Sequence, residues 1–436
     1  VLKRIFFAGI VSFAWFAVLQ CATVNAQVRG EILGPGATRM PVAIPELNRT
    51  SPDDSAAART FIRVLRGDLE LSGMFRVIDP TAYVPRSEDP EPTVANVNFD
   101  SWRSIGALGL LLGNYQVYGD TLTIDTRFFD VANRSMTGGR KLVGDVRDAS
   151  QMAHRMADAV MLFVSGVAGP FESRIAFVSD RESHFREIFL FDFDGSARAV
   201  TKHNSITMAP DWHPGEPVIL FTSFKPKRPI LYSLDLRTGF DSRIASKMGV
   251  NVGGAYSPDG TKILLAREED GNTDIFELDP VAGKSVRLTN HWGIDVSPVW
   301  SPDGKNIAYC SSRSGSPQIY TQPVGGGSAK RITFSGDYNC APAWSPDGTH
   351  IAYAGRRQGQ FQIFVIPALG GAARQLTFAG SNEDPSWSPD SRYIAFSGRR
   401  GSRNKIYMVD LFGRWEKQLT DGKGNDTAPA WSKRLN

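Results

Sequence analysis

Cysteine is almost absent from this chain, with three residues in 436. Histidine is nearly as scarce: the six residues at 154, 184, 203, 213, 291 and 350 are scattered, and none is paired at metal-ligand spacing. A dense disulfide framework and a histidine metal site are therefore excluded. No Gly-x-Ser-x-Gly elbow occurs, which argues against a serine-nucleophile peptidase. Gly325-Gly326-Gly327 is the turn between two strands and not a phosphate cradle. Net charge is only +4, with no basic block and no aromatic-basic stripe, so no nucleic-acid partner is expected. Outside Ile5–Leu19 no apolar run approaches the length of a membrane span.

What the chain does have is a repeat. Trp300-Ser301-Pro302-Asp303-Gly304 recurs in full as Trp344-Ser345-Pro346-Asp347-Gly348. Tyr256-Ser257-Pro258-Asp259-Gly260 and Trp387-Ser388-Pro389-Asp390-Ser391 change one position each, Trp212-His213-Pro214-Gly215 is worn, and Trp431-Ser432 is truncated. The aromatic positions are spaced by 44, 44, 44, 43 and 44 residues. Each period holds four short β-prone runs separated by turn signals. Four-stranded units repeated at this period predict a β-propeller. Five repeats are complete, and a sixth is split. Ile175-Ala176-Phe177, Ile188–Phe191 and Ala197–Val200 lack an innermost strand, which Ala428-Pro429-Ala430-Trp431 supplies from the other end. The repeat aromatics are expected to fill space between blades, and Pro-Asp-Gly to make type I turns.

The fold class is thus two domains: an N-terminal α/β domain, then a six-bladed all-β propeller closed by the C-terminal strand. Residues 1–26 read as a signal peptide, with Lys3 and Arg4, the apolar Ile5–Leu19 and the short-chained Val24-Asn25-Ala26. Cys21 lacks the small preceding residue that acylation needs. The α/β domain is assigned to 27–170 and the propeller to 171–436. Ser51-Pro52-Asp53-Asp54 should start a helix that runs to Leu71 and stops at Gly73. A second helix is expected over Ser150–Val164, strands at Val77-Ile78 and Leu122–Phe129, and a hinge at Val167–Pro170. Export permits a disulfide between Cys310 and Cys340; two buried free thiols are the alternative.

No catalytic constellation emerges. Stacking the repeats instead aligns Thr207, Asn251, Asp295, Asn339, Asn382 and Asp426, each five residues before the repeat aromatic. Six copies of one polar loop position should ring the channel mouth. Their bland reading is turn chemistry. Their functional reading is a polar funnel that takes a protein loop or a hydrated cation such as Ca²⁺; two formal charges make any such cation weakly held. No resident cofactor is expected. A second ring, thirteen residues after the aromatic, reads Lys225, Glu269, Arg313, Arg357 and Arg400, with Arg181 in the split blade. Solvated loops explain it blandly; a basic outer rim that steers a partner explains it functionally. Alanine at Asp295 and Asn339 should weaken partner binding without unfolding the chain. A secreted propeller enzyme, or a carbohydrate- or metal-binding scaffold, is the alternative, with Asp295, Asp426, Glu383 and Asp384 as its acid-base candidates.

Leader, α/β domain, Trp-Ser-Pro-Asp-Gly propeller and closing Ala-Pro-Ala-Trp-Ser together resemble the TolB family of the Tol-Pal system. The resemblance implies a monomeric, non-enzymatic adaptor of the periplasm that supports outer-membrane integrity and constriction at division. It implies that the Pal lipoprotein, and some colicins, bind at the mouth formed by the loops of Thr207, Asn251, Asp295, Asn339, Asn382 and Asp426, which would make the chain peripheral to the outer membrane through Pal. It further implies that a mobile segment over 27–36 binds TolA through Gln27, Val28, Arg29, Gly30, Glu31 and Ile32. Gly30 and Gly34-Pro35-Gly36 depart from the strand-like pattern there. Such a segment could add as a strand to a partner's sheet edge.

Overall fold

The computed structural model describes residues 39–51, 55–83, 92–244 and 251–434, without the side chains of 251 and 252. The leader at 1–26, the 27–36 segment with Gln27–Ile32, and Pro52 to Asp54 lie outside the described residues.

The α/β domain is built on one sheet. Its strand order is Phe75–Val77, Met40–Ala43, Gly109–Tyr118, Thr121–Asp130, Ser135–Asp145. The first two joins are parallel and the last two antiparallel. Alternation in Thr121–Asp130 sends Leu122, Ile124 and Phe128 to one face, where helices α1 (Ala56–Leu71) and α3 (Ala149–Ser165) cover them. Phe129, with Leu110 and Leu112 from the neighbouring strand, faces the other side under α2 (Phe99–Ser104). Each such side chain, fully buried, contributes about 1.5–3 kcal/mol. Helix α1 begins later than expected. Its cap is Ser55, whose hydroxyl accepts from the Ala57 N–H. Ser51 instead accepts from the Val117 N–H of the strand Gly109–Tyr118. Gly166, in the left-handed conformation, ends α3.

Residues 175–431 form six four-stranded sheets, each ordered from its inner strand outward. In blades II to VI the inner strands are Thr207–Trp212, Asn251–Tyr256, Asp295–Trp300, Asn339–Trp344 and Ser381–Trp387. Blade I takes its inner strand from the end of the chain: Asp426–Trp431 pairs antiparallel with Ile175–Ser179. Every inner strand shifts register near its third residue. The residue there has positive φ: Ala209, Gly253, Ser297, Ala341, Asp384 and Ala428 lie between 50° and 68°. Proline follows in five of the six. An inner strand is a sheet edge, and a bulge on an edge is where a strand tolerates proline.

The repeat turn uses its serine as well as its Pro-Asp-Gly. Ser301 Oγ donates to Asp303 Oδ1 at 2.6 Å and accepts from the Asn306 N–H at 2.9 Å. Blades III, V and VI repeat both bonds. The tryptophans do more than fill space. The indole N–H groups of Trp212, Trp300 and Trp387 donate to the carbonyls of Ala430, Ala255 and Ala343, each on the neighbouring inner strand.

The two domains share one core. Phe171, Ile175, Phe177, Phe189, Tyr393 and Trp431 belong to the same buried cluster as α1 and α3. Tyr393 donates to the Ser72 carbonyl at 2.6 Å, and Arg392 to Ser165 Oγ at 2.8 Å. The expected hinge at Val167–Pro170 is corrected by these contacts. Arg434 donates to the carbonyls of Ala168 and Gly169. Asp158 on α3 accepts from the N–H groups of Phe171 and Glu172. Gly169 is closely packed, since a Cβ there would displace the Asp158 carboxylate and the Met161 sulfur. The segment is a fastened joint.

Burial pushes the Asp158 carboxyl up to about 7. The native state therefore keeps a proton that the unfolded chain releases, and this residue's contribution to stability falls as pH rises from about 4 to about 7. Asp158→Asn removes that titration. We expect the melting temperature of the variant, measured relative to wild type, to climb as pH is raised through this window. A constant difference would show that Asp158 does not titrate there.

Candidate protein-binding face and channel

Inner strands begin at the polar ring and end at the repeat aromatic. One face of the propeller, the entry face, therefore carries the polar ring, the blade-to-blade connections and the loops between second and third strands. The opposite, exit face carries the Trp-Ser-Pro-Asp turns. The α/β domain contacts the exit face, through Arg392, Tyr393 and the Trp415 ring against Gly73.

The polar ring is not an open funnel. Thr207, Asp295, Asn339, Asn382 and Asp426 are fully buried; the side chain of Asn251 lies outside the described residues. Thr207 donates to the Arg186 carbonyl at 2.7 Å. Asn339 and Asn382 donate to Gln318 and Gln362 at 2.8 and 2.9 Å. Asp426 accepts from Ser179, Arg181 and Lys405 at 2.6, 2.8 and 3.1 Å. Asp295 pairs with Arg313 at 2.8 Å, and burial still holds its carboxyl above the ordinary range. The physical reason is that the chain crosses here from one blade to the next. Polar groups buried at such crossings need partners, and these side chains supply them.

The second ring is corrected too. Only 17%, 15% and 23% of the Arg181, Arg313 and Arg400 side chains is exposed. Each guanidinium turns inward over an aromatic ring, at 5.2 Å from Phe177, 5.0 Å from Tyr320 and 4.6 Å from Tyr407. Its far end meets the polar ring at Asp426, Asp295 or Asn382. The two expected rings are one set of columns. Lys225 is exposed, Glu269 accepts from Arg267, and Arg357 lies over Phe364 without bonding to the polar ring. Cys310 and Cys340 are bonded across blades IV and V, with Cα atoms 5.0 Å apart.

The entry face exposes something else. Ile206, Trp292, Ile294, Phe334 and Phe378 are 46%, 72%, 55%, 74% and 74% exposed. All five lie on blade-to-blade connections, one to five residues before a polar-ring position. Exposed apolar side chains grouped around an opening mark an interaction surface. Stacking the loops as well as the strands brings out this crown, which polar and titratable positions alone do not mark.

Beneath it the channel holds a cavity of about 850 Å³, lined by the six bulges, their prolines and the repeat aromatics. Asp211 lies there, accepting from the Tyr256 N–H at 2.8 Å, and burial pushes its carboxyl up to about 6. Asp384 accepts from Ser397, and burial raises both it and Glu383. Of the acid-base candidates, Asp295 and Asp426 are committed to ion pairs. Among the described residues no cluster of three or more His, Cys, Asp or Glu is arranged to hold a metal ion, and no helix is long and apolar enough to cross a membrane.

Known proteins share this architecture. A family model described as the TolB amino-terminal domain matches residues 28–137, and one described as the TolB beta propeller domain matches 163–435. The Tol-Pal system protein TolB of Syntrophotalea carbinolica is 40% identical over 198 residues, which is 45% of each chain. That of Desulfosudis oleivorans is 35% identical over 269 residues, 60% of each chain. The chain thus spans about half the length of the curated relatives it matches. The crystal structure of TolB from Acinetobacter baumannii is 27% identical, with a TM-score of 0.80 over 91% of this chain and 97% of that one. A nidogen/laminin complex, 11% identical with a TM-score of 0.52, shares the fold alone.

The buried columns change what alanine at the ring should do. Asp295→Ala strands the Arg313 guanidinium in the core, and breaking such a pair costs on the order of 3 kcal/mol. We expect urea unfolding of Asp295→Ala to show a loss of that order. A loss under about 0.5 kcal/mol, the range of an ordinary surface substitution, would return Asp295 to the surface.

Proposed function

The chain belongs to the TolB family, and we propose that it acts as the propeller adaptor of a Tol-Pal system in the periplasm. It is a binding protein, and no chemical step belongs to this reading. The observation that carries it is the apolar crown of the entry face. Trp292, Phe334 and Phe378 offer large rigid side chains of the kind that anchor protein interfaces. The α/β domain contacts the other face, so a partner can approach the crown along the channel axis. The partner we assign to it is the Pal lipoprotein, through which the chain is held at the outer membrane; colicins that exploit the system would use the same opening. This replaces the polar ring by the crown as the contact surface and leaves the ring as its support.

A second contact is assigned to residues 27–36. A short extended segment can pair with the sheet edge of TolA by main-chain hydrogen bonds, with little demand on side chains. An adaptor with one rigid face and one linear segment can hold two partners at once. Outer-membrane integrity and constriction at division are the processes such a bridge serves.

Both contacts can be tested on the full chain. Trp292→Ala/Phe334→Ala/Phe378→Ala should lower affinity for Pal at least tenfold in calorimetry, with the unfolding midpoint unchanged, because the three side chains are exposed. Unchanged affinity would remove the crown from this reading. Deleting residues 27–34 should abolish capture of TolA in a pull-down while Pal binding is retained. Retention of TolA by the truncated chain would place that contact elsewhere.

A further inference from the structure

Internal repetition supplies a control for every residue of the propeller, and Arg357 fails it. In blades I, IV and VI the equivalent Arg181, Arg313 and Arg400 turn inward to Asp426, Asp295 and Asn382. In blade V the Arg357 guanidinium makes three contacts like those of Arg400, lying against Gly336, over the Phe364 ring at 4.9 Å and donating to the preceding carbonyl, that of Arg356, but it makes no bond to Asn339. The Asn339 amide oxygen, counterpart of the Asn382 oxygen that Arg400 meets, is buried without a hydrogen-bond partner.

The cause is readable in the strand register. Blades I and IV draw the arginine inward with a ring carboxylate. Blade VI has only Asn382 in the ring, but Glu416 on its outer strand grips Arg400 at 2.6 Å. Gln418 pairs with Tyr407 and Gln375 with Phe364, so Glu416 corresponds to Ala373 in blade V. Blade V therefore has neither acid. Arg357 is left facing a polar cavity of about 970 Å³ between blades V and VI on the entry face, lined also by Gln360, Gln362, Gln375, Ser381 and Arg399. Arg399 donates to the Gly401 carbonyl at 3.3 Å. Among the described residues, neither arginine has a carboxylate within ion-pair distance. Phe378, 74% exposed, stands at the edge of the cavity.

We infer that this cavity is a carboxylate-binding subsite, which takes an acidic side chain of a partner polypeptide while an apolar neighbour of that side chain rests on Phe378. Two guanidinium forks match carboxylate geometry, and the glutamines offer donors and acceptors to the peptide backbone. The cavity adjoins the crown, whose apolar side chains suit a polypeptide. The inference rests on the entry-face reading above and adds the chemistry of what that face recognises.

The test uses the full chain and a fluorescein-labelled peptide carrying Asp-Glu-Phe-Asp-Glu, with an Asn-Gln-Phe-Asn-Gln peptide as the neutral probe. In anisotropy titrations the acidic peptide should bind at least tenfold more tightly than the neutral one. Arg357→Glu/Arg399→Glu should lose at least tenfold in affinity for the acidic peptide, whereas Arg198→Glu on blade I should change nothing. Asn339→Asp supplies the missing ring acid without touching either arginine. It should draw Arg357 inward and weaken the acidic peptide severalfold. Equal affinity for the two peptides, equal affinity of wild type and Arg357→Glu/Arg399→Glu, or no binding by wild type would each overturn the subsite. The parent reading is decided separately by Pal and the crown variant. Loss of Pal there, with peptide affinity untouched by Arg357→Glu/Arg399→Glu, keeps the face and removes the subsite.

Discussion

One carboxylate closes this molecule. Asp426 receives Ser179 and Arg181 from blade I and Lys405 from blade VI. Serine and aspartate are 247 residues apart in sequence. Without the pairing of Asp426–Trp431 to Ile175–Ser179 the blade I sheet would have three strands, with Ile175–Ser179 left as an unpaired edge, and open edges invite association. The same closure seats Trp431, whose indole donates to Ser173 Oγ at 2.7 Å and whose ring lies 5.8 Å from Phe193. Both partners border the joint that fastens the α/β domain. Ring closure and domain docking therefore share the Trp431 contacts.

The fold was legible because a propeller repeats its physics. One period contains a turn, an edge strand with a proline at its bulge, and three further strands, and six copies average out local ambiguity. The α/β domain has no such redundancy. There Ser51 looked like a helix cap but serves the sheet, while Ser55 does the capping. The strand Gly109–Tyr118 has an apolar run followed by mixed polarity and no single period to announce it. Register within the propeller was legible to the residue; burial was not. The polar ring and the arginine ring were located by counting, but counting cannot tell a solvated loop from a satisfied core. Asp295 and Arg313 show why: both types favour water when alone, and each makes the other's burial tolerable.

The crown went unseen for a related reason. Ile206, Trp292, Ile294, Phe334 and Phe378 occupy different offsets before the ring, so alignment on the repeat aromatic scatters them. They share a surface because all the blade-to-blade connections emerge on one face. Topology, more than spacing, gathers them.

A symmetric scaffold also explains where specificity arises. Residues identical in all six blades can only build the ring. Recognition of an asymmetric partner must come from positions where the copies differ. Blade II shows one departure harmless to the fold. His203 sits between Ser223 and Asp241 and meets Phe221 and Tyr232 edge to face, filling with an imidazole the place other blades give a guanidinium. Blade V shows a different kind. The Gln318–Thr333–Asn339 set is neutral and Ala373 stands where blade VI has Glu416, so Arg357 keeps its aromatic ring but has no acid to draw it to the polar ring. The Cys310–Cys340 bond joins the inner strand of that blade to blade IV on the same face. A cross-link can hold the neighbouring blades in register where a column contact is missing. The position that gives up an internal ion pair is thus the one best placed to offer its charge to another molecule.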